Sequence, residues 1–345
     1  MSFSSTGRAL LALSLLTLAS CAGRDHGQSA DISETPLWME VCPKGDSTLV
    51  VSISPFDGTR DTLVVTSPLE NVVCMSSTQV AGFCSLDARE AISGVSGVSY
   101  LADSTVRANA FEAGYEGSMD YERIVTSGTG LVLGYMTSAV EPEYFGKLRK
   151  LGIRVFPVHE HLEHHPLARA AYLKMYGALA GKSGLADELF SEREGRYREL
   201  RSEAKGKHKI LINIPYGDMW YIPSRDNYMS ILIRDAGGEI QGTAEGITSP
   251  VISIEEAYVM AREAEFWLHP GQCSSKADMI ASNASFKSFP LERMKVWNNT
   301  AATGENGGND FWESGAVRPD LVLEDLVAIF SEDGNHQFKY YRKVE

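Results

Sequence analysis

Apolar residues in this chain fall into two kinds of pattern. From about Leu37 to Val158, short β-like runs ("TLVVSI", "TLVVTS", "NVVCMS", "GLVLGYM", "RVFPV") alternate with short helical stretches such as residues 140–151. Apolar runs of this length between helical segments predict strands of a mixed or parallel sheet covered on both faces. Residues 167–205 carry no strand signal. They read as helical, interrupted by "GKSG" at 181–184, and the second half, roughly 20 residues from Leu185, extends about 30 Å at 1.5 Å per residue. Strand text then resumes with "HKILINI". It is followed by the glycine-closed helix "DNYMSILIRDAGG", by "ISIEEAYVMAREAEFWLHP" and "ERMKVWN", and by a last helix "PDLVLEDLVAIF" that opens on Pro319 and Asp320. The pattern predicts an α/β protein of two β/α lobes joined by a single long spanning helix, with a ligand cleft between the lobes near the strand C-termini.

The first residues stand outside that pattern. Arg8 precedes "ALLALSLLTLAS", an apolar run too short to cross a bilayer as a permanent helix, so residues 1–20 read as a signal peptide. The run ends in "LASC", which resembles a lipobox and makes Cys21 the lipidated residue. Polar residues 21–36 form a tether, 37–165 the N-terminal lobe, 166–205 the hinge with the spanning helix, and 206–345 the C-terminal lobe. The expected location is the periplasmic face of a cell-envelope membrane. Ala22 after the cysteine favours the outer membrane under a rule established in enteric bacteria, and the choice of membrane stays open.

The whole chain has 32 basic and 45 acidic residues, and Arg8 is the only charged residue before Cys21, so the mature balance is 31 against 45, or −14. Such a surface argues against nucleic acid and anionic lipid as partners, leaving the anchor as the contact with a membrane. Cys42, Cys74, Cys84 and Cys273 remain after lipidation. They form no close CxxC pair, and spacing does not pair them as disulfides.

Each lobe carries the same local signature. "MDYERIVTSGTGLVLGYM" and "ISIEEAYVMAREAEFWLHP" both read as a capped helix start followed by a buried strand. With Asp120 and Ser253 as N-caps, Glu122 and Glu255 occupy the same second helical position. Glu256 completes a capping box with Ser253, which frees Glu255 to point outward.

At these residues the chain resembles the substrate-binding proteins of ABC importers for cobalamin, ferric siderophores and haem. "MDYERIV" is similar to that family's first-lobe docking helix and "SIEE" to its second-lobe counterpart. The resemblance implies that Glu122 and Glu255 meet arginines on the two subunits of a permease dimer. "GGNDFWESGAVRPDLVLEDLVAIF" and "HPLARAAYLKMYGALAGK" are similar to the branch found in Bacteroidetes-like bacteria. One departure is "TSGTGLVLGY", where the family usually has a proline-aspartate pair after the docking helix. The implied protein is a monomeric carrier with no enzymatic activity and no resident cofactor or metal. Its ligand is a metal chelate: a ferric siderophore, haem or cobalamin.

A large, partly flat ligand is held by aromatic faces and a few aimed polar groups. The candidates in loops after strands are Tyr135, Tyr216, Trp220, Tyr221, Asn298, Asn309 and Trp312, with Arg169 offering positive charge to an anionic iron chelate. Asn309 either contacts ligand or shapes its glycine-flanked loop, and Arg169 either serves ligand or pairs with Glu163. Trp267, inside "EFWLHP", reads as core. "VHEHLEHHP" gathers His159, His161, His164 and His165 before Pro166, and reads as the polar entrance of a helix, a haem or chelate contact, or a zinc site. A zinc or manganese carrier would depend on His159 and His161. No G-x-S-x-G, H-E-x-x-H or P-loop motif supports an enzyme. A lipid-anchored adhesin or receptor partner without a small ligand is the remaining class.

Overall fold

The computed structural model describes residues 32–246 and 248–345; the signal peptide, Cys21 and most of the tether lie outside them. Residues 32–345 form one compact unit. It opens with an antiparallel three-stranded meander, Met39–Lys44, Ser47–Ile53 and Arg60–Val65. The runs "TLVVSI" and "TLVVTS" therefore pair with each other rather than joining a β/α alternation. The cause is their short connection: a six-residue link suits antiparallel neighbours, whereas parallel strands need a crossover of a dozen residues or so.

The first-lobe sheet is wholly parallel, in the order Phe111–Glu112, Ile92–Val95, Val72–Cys74, Leu131–Gly134, Arg154–Pro157. Strand order reverses between Val72–Cys74 and Leu131–Gly134, which creates a crevice at their carboxyl ends. All residues of those two strands are buried, as expected for a sheet covered on both faces. The second-lobe sheet runs Gly238–Ile240, His208–Ile212, Phe266–Leu268, Lys295–Asn298, Arg342–Val344, parallel except for the last strand.

Three helices link the lobes: Pro166–Ala170, Leu173–Leu179 and Ser183–Glu203. The 21 residues of the last span about 30 Å. Its buried side chains Ala186, Phe190, Arg193, Tyr197 and Leu200 recur at helical period on one stripe. Ala186 and Phe190 belong to the first-lobe core, Tyr197 and Leu200 to the second. Between them Arg193 is buried and donates to the Val317 carbonyl at 2.9 Å, with burial lowering its pKa to about 10.

The chain enters the body against the crossover. The buried Glu163 carboxylate accepts from the backbone N–H of Leu37 at 3.0 Å and of Trp38 at 3.0 Å, and from the Tyr172 hydroxyl at 3.1 Å. Sequence reading offered Glu163 as a surface partner for Arg169; the structure instead uses it inside, as an anchor for backbone donors. Glu163→Ala strands those donors and is expected to cost about 3 kcal/mol, each buried unpaired donor costing roughly 1–3 kcal/mol, measured by urea denaturation.

Candidate functional site

A cavity of about 570 Å³ lies between the lobes, at the crevice where strand order reverses. From the first lobe it receives Met75 to Thr78, Ser96, Gly97, Tyr135, Glu160 and His161, all just past strand ends. The second lobe adds Gln272, Asn309, Trp312 and Glu313, and the crossover helix adds Arg169.

Local sequence explains how these groups are placed. Ser76 caps the helix Ser77–Ser85, and Gln79 turns back to accept the Met75 N–H at 2.9 Å, fixing the serine-rich turn after the strand. The Thr78 hydroxyl donates to Oε1 of buried Glu160 at 2.7 Å, and Glu160 Oε2 has no partner among the described residues. Gly97, at φ +76°, admits the Tyr115 ring: a Cβ there would stand 2.6 Å from the phenolic oxygen. Tyr100, Tyr115, Tyr135 and Trp312 all line the cavity with exposed rings. The guanidinium of Arg169 lies 5.0 Å from the Tyr228 ring centroid, and its Nε is buried without a partner among the described residues.

One wall of the cavity is a seam between the lobes. Asn306 of the second lobe donates to the first-lobe carbonyls of Ser99 (2.8 Å) and Leu101 (3.1 Å). Gly308 sits so close that a Cβ would fall 1.7 Å from the Tyr100 carbonyl oxygen. Glu313, 5% exposed, accepts from the N–H groups of Ala102 (2.8 Å) and Asp103 (3.4 Å). Burial raises the Glu313 pKa to about 7, the two backbone donors oppose the shift, and Asp310 and Asp103 add to it.

Of the sequence-derived ligand candidates, Tyr135, Arg169, Asn309 and Trp312 come together on this cavity. Asn309 also shapes its loop, donating to the Asn299 carbonyl at 2.9 Å. Tyr216, 82% exposed, and Tyr221 lie in the loop region after His208–Ile212 and do not line the cavity. Trp220 and Asn298 are corrected. Trp220 is 1% exposed, stacked on Trp267, with its indole N–H donating to the Ile212 carbonyl at 2.9 Å. Asn298 is fully buried and its amide donates to the carbonyls of Gly271 and Cys273. Both hold the second-lobe loops from inside. Trp267 lies in the same core.

Sequence reading missed Tyr100, Tyr115, Glu160, Glu313 and the Ser76–Thr78 turn. The rule that found Tyr135, an aromatic just past a strand, applies equally to Tyr115 in "FEAGYEG", but a two-residue strand gave no visible run. Nothing local marks Glu160 or Glu313 as buried.

The four clustered histidines do separate work. His165 caps the crossover helix, its Nδ1 accepting the Leu167 N–H at 3.1 Å, and burial lowers its pKa to about 4. His161 reaches the cavity with Nε2 3.0 Å from the Met136 carbonyl and its ring edge-on to Tyr135. His159, 1% exposed, is turned away from that cavity, and burial, reinforced by the charge of His161, lowers its pKa to about 4. Burial lowers the pKa of His164 as well. Among the described residues no group of three or more His, Cys, Asp or Glu is placed to hold a metal ion. Cys42, Cys74, Cys84 and Cys273 are all free thiols in this structure.

Glu122 and Glu255 are exposed and each takes the second position of its helix, Tyr121–Thr126 and Ile254–Ala261. Asp120 accepts the Arg123 N–H at 2.9 Å, and Ser253 with Glu256 forms a capping box. A helix leading back into a parallel strand starts at that strand's carboxyl end, so both glutamates stand on the cavity side of their sheets. Neither is in an ion pair among the described residues.

Glu313 yields a signed expectation. Because its folded pKa is raised, its contribution to stability is full below its unfolded value near 4.5 and is lost as pH rises through about 7. Glu313→Gln keeps an acceptor without the charge, so the melting temperature of the variant relative to wild type should rise between pH 5 and pH 8. Thermal unfolding across that range measures it, and a constant difference would remove Glu313 from the seam's titration.

No family model matches the chain. An uncharacterised lipoprotein of Methanocaldococcus jannaschii is 24% identical over 286 residues, covering 77% of this chain and 66% of that protein, so the chain spans just under two thirds of the relative. A periplasmic haem-binding protein from Pseudomonas aeruginosa aligns with a TM-score of 0.60 at 14% identity, over 80% of this chain and 98% of the other. The periplasmic vitamin B12-binding protein of Vibrio cholerae aligns with a TM-score of 0.53 at 14% identity, over 78% and 99%. With two facing sheets, one spanning helix and a cavity at the strand ends between them, the chain has the two-lobed fold of these periplasmic binding proteins.

Proposed function

We propose that this protein is a lipid-anchored, extracytoplasmic carrier that captures an iron complex, a ferric siderophore or haem, and delivers it to an ABC importer. The observation that carries the reading is the interlobe cavity, in which four exposed aromatic rings surround a polar interior with one arginine. Rings offer flat faces to a conjugated ligand, and Arg169 suits an anionic chelate. The Pseudomonas aeruginosa protein of this fold binds haem, which supports the same class of cargo here. Cobalamin is the second reading, favoured by the likeness to the vitamin B12-binding protein. Binding and a small rotation of the lobes suffice for the task, so no catalytic group is required. Glu122 and Glu255 are the contacts with the two permease subunits.

Titration with haemin, ferric siderophores, cobalamin and zinc, followed by tryptophan fluorescence and the visible spectrum, tests the cargo. The iron-complex reading expects saturable binding of one iron chelate, about fivefold weaker in Trp312→Ala, a stacked ring contributing on the order of 1 kcal/mol. Saturation by cobalamin alone would transfer the reading to the second cargo, and silence across the panel would favour an adhesin. Reversing the charge of Glu122 and Glu255 together is expected to abolish uptake with ligand affinity unchanged. Normal transport by that variant would end the docking assignment.

A further inference from the structure

A second cavity, of about 310 Å³, lies on the outer edge of the second-lobe sheet, away from the cleft. Its floor is the edge strand Gly238–Ile240, which pairs only with His208–Ile212 and leaves its other side to the pocket. Lys207, Arg225 and Arg234 line it, with the hydroxyls of Ser230 and Thr243, and Glu239 is the one acid in its lining. Arg225 is tied at the rim to the exposed Glu245 at 3.2 Å. Lys207 and Arg234 are in no ion pair among the described residues. In a chain with a mature balance of −14, three cations converging on one pocket are a local reversal of sign.

The position of the pocket gives the reversal a meaning. Glu34, three residues into the described chain, binds Arg198 (2.7 Å) and Arg201 (2.8 Å) near the end of the spanning helix. Arg201 in turn approaches Asp235 at 3.9 Å, next in sequence to Arg234, while Gly206 and Lys207 follow that helix directly. The described chain thus begins against the same helix end that leads into the basic pocket. From Ile32 to Cys21 is 11 residues, at most about 40 Å when extended.

We propose that this pocket binds a phosphate group, and that its source is the headgroup of an anionic phospholipid in the membrane that holds the anchor. Ammonium, guanidinium and hydroxyl donors together suit a tetrahedral oxyanion. Distant acidic residues oppose this weakly, because their field is screened over about 8 Å at physiological ionic strength. The pocket runs along the outer edge of the sheet, from Lys207 before strand His208–Ile212 to Thr243 beyond strand Gly238–Ile240, and shares no lining residue with the cargo cavity. A body held by that edge leaves the lining of its cargo cavity untouched by the lipid. The proposal draws on the lipid-anchored reading for the membrane, and its test needs neither anchor nor cargo.

The test uses residues 22–345, whose described part forms one compact unit. Co-sedimentation is measured with phosphatidylcholine vesicles with and without phosphatidylglycerol, and thermal shift is measured with inorganic phosphate. Binding to phosphatidylglycerol vesicles, reduced at least about tenfold by Lys207→Glu with Arg234→Glu, is expected. A phosphate-induced shift that this variant abolishes, without vesicle binding, would keep the site and overturn the lipid source. No response to either probe, or vesicle binding that the variant leaves unchanged, overturns the site. Cargo titration on the same variant stays at the wild-type value, so failure here is separable from failure of the carrier reading.

Discussion

One helical stripe determines how this molecule is assembled. Along Ser183–Glu203 the buried positions Ala186 and Phe190 serve one core and Tyr197 and Leu200 the other, so a single rigid rod sets the spacing of two sheets that share no strand. Arg193 stands at the joint, where a purely apolar residue would fuse the two cores. Its buried guanidinium is held by the Val317 carbonyl, which roots the rod in the segment leading to the final helix Pro319–Ser331. Taking that charge out of water costs free energy that one hydrogen bond offsets only in part, consistent with its depressed pKa. The joint fixes where along the rod each lobe is packed, and with it how the two lobes stand.

That orientation makes the cavity what it is. With the sheets facing each other across the rod, loops at strand carboxyl ends meet, and their backbone groups need partners. Asn306 and Glu313 supply them across the seam, pairing second-lobe side chains with first-lobe carbonyls and amides. The seam and the rod hold the lobes on two sides of the cavity. Three Tyr rings and Trp312 remain exposed on the lining of the cavity.

Much of the frame was legible in the sequence because it rests on periodicity. The two β/α lobes, the long helix after the "GKSG" break and the matched helix starts at Asp120 and Ser253 all follow from spacing and capping chemistry. The second hairpin of the meander escapes that reading because "TLVVSI" and "TLVVTS" look alike whether their partner is parallel or antiparallel; only the short link between them decides. Within the site, Tyr135 and Trp312 were legible as aromatics beyond strands or in a glycine-rich loop. Trp220 fits the same rule and fails it, since its loop folds back over the sheet and stacks the indole on Trp267. No local signal separates those outcomes, because they depend on where a loop lies in three dimensions.

The buried charges are where sequence reading is weakest and where the cavity has most of its character. Glu160 and Arg169 each leave a buried polar atom unpaired among the described residues, and both residues line the cavity. An unpaired buried polar group costs roughly 1–3 kcal/mol, so the fold bears that cost at two residues beside one cavity. The cavity lining thus combines exposed ring faces at Tyr100, Tyr115, Tyr135 and Trp312 with charged groups at Glu160, Arg169 and Glu313, a pairing that no single stretch of sequence displays.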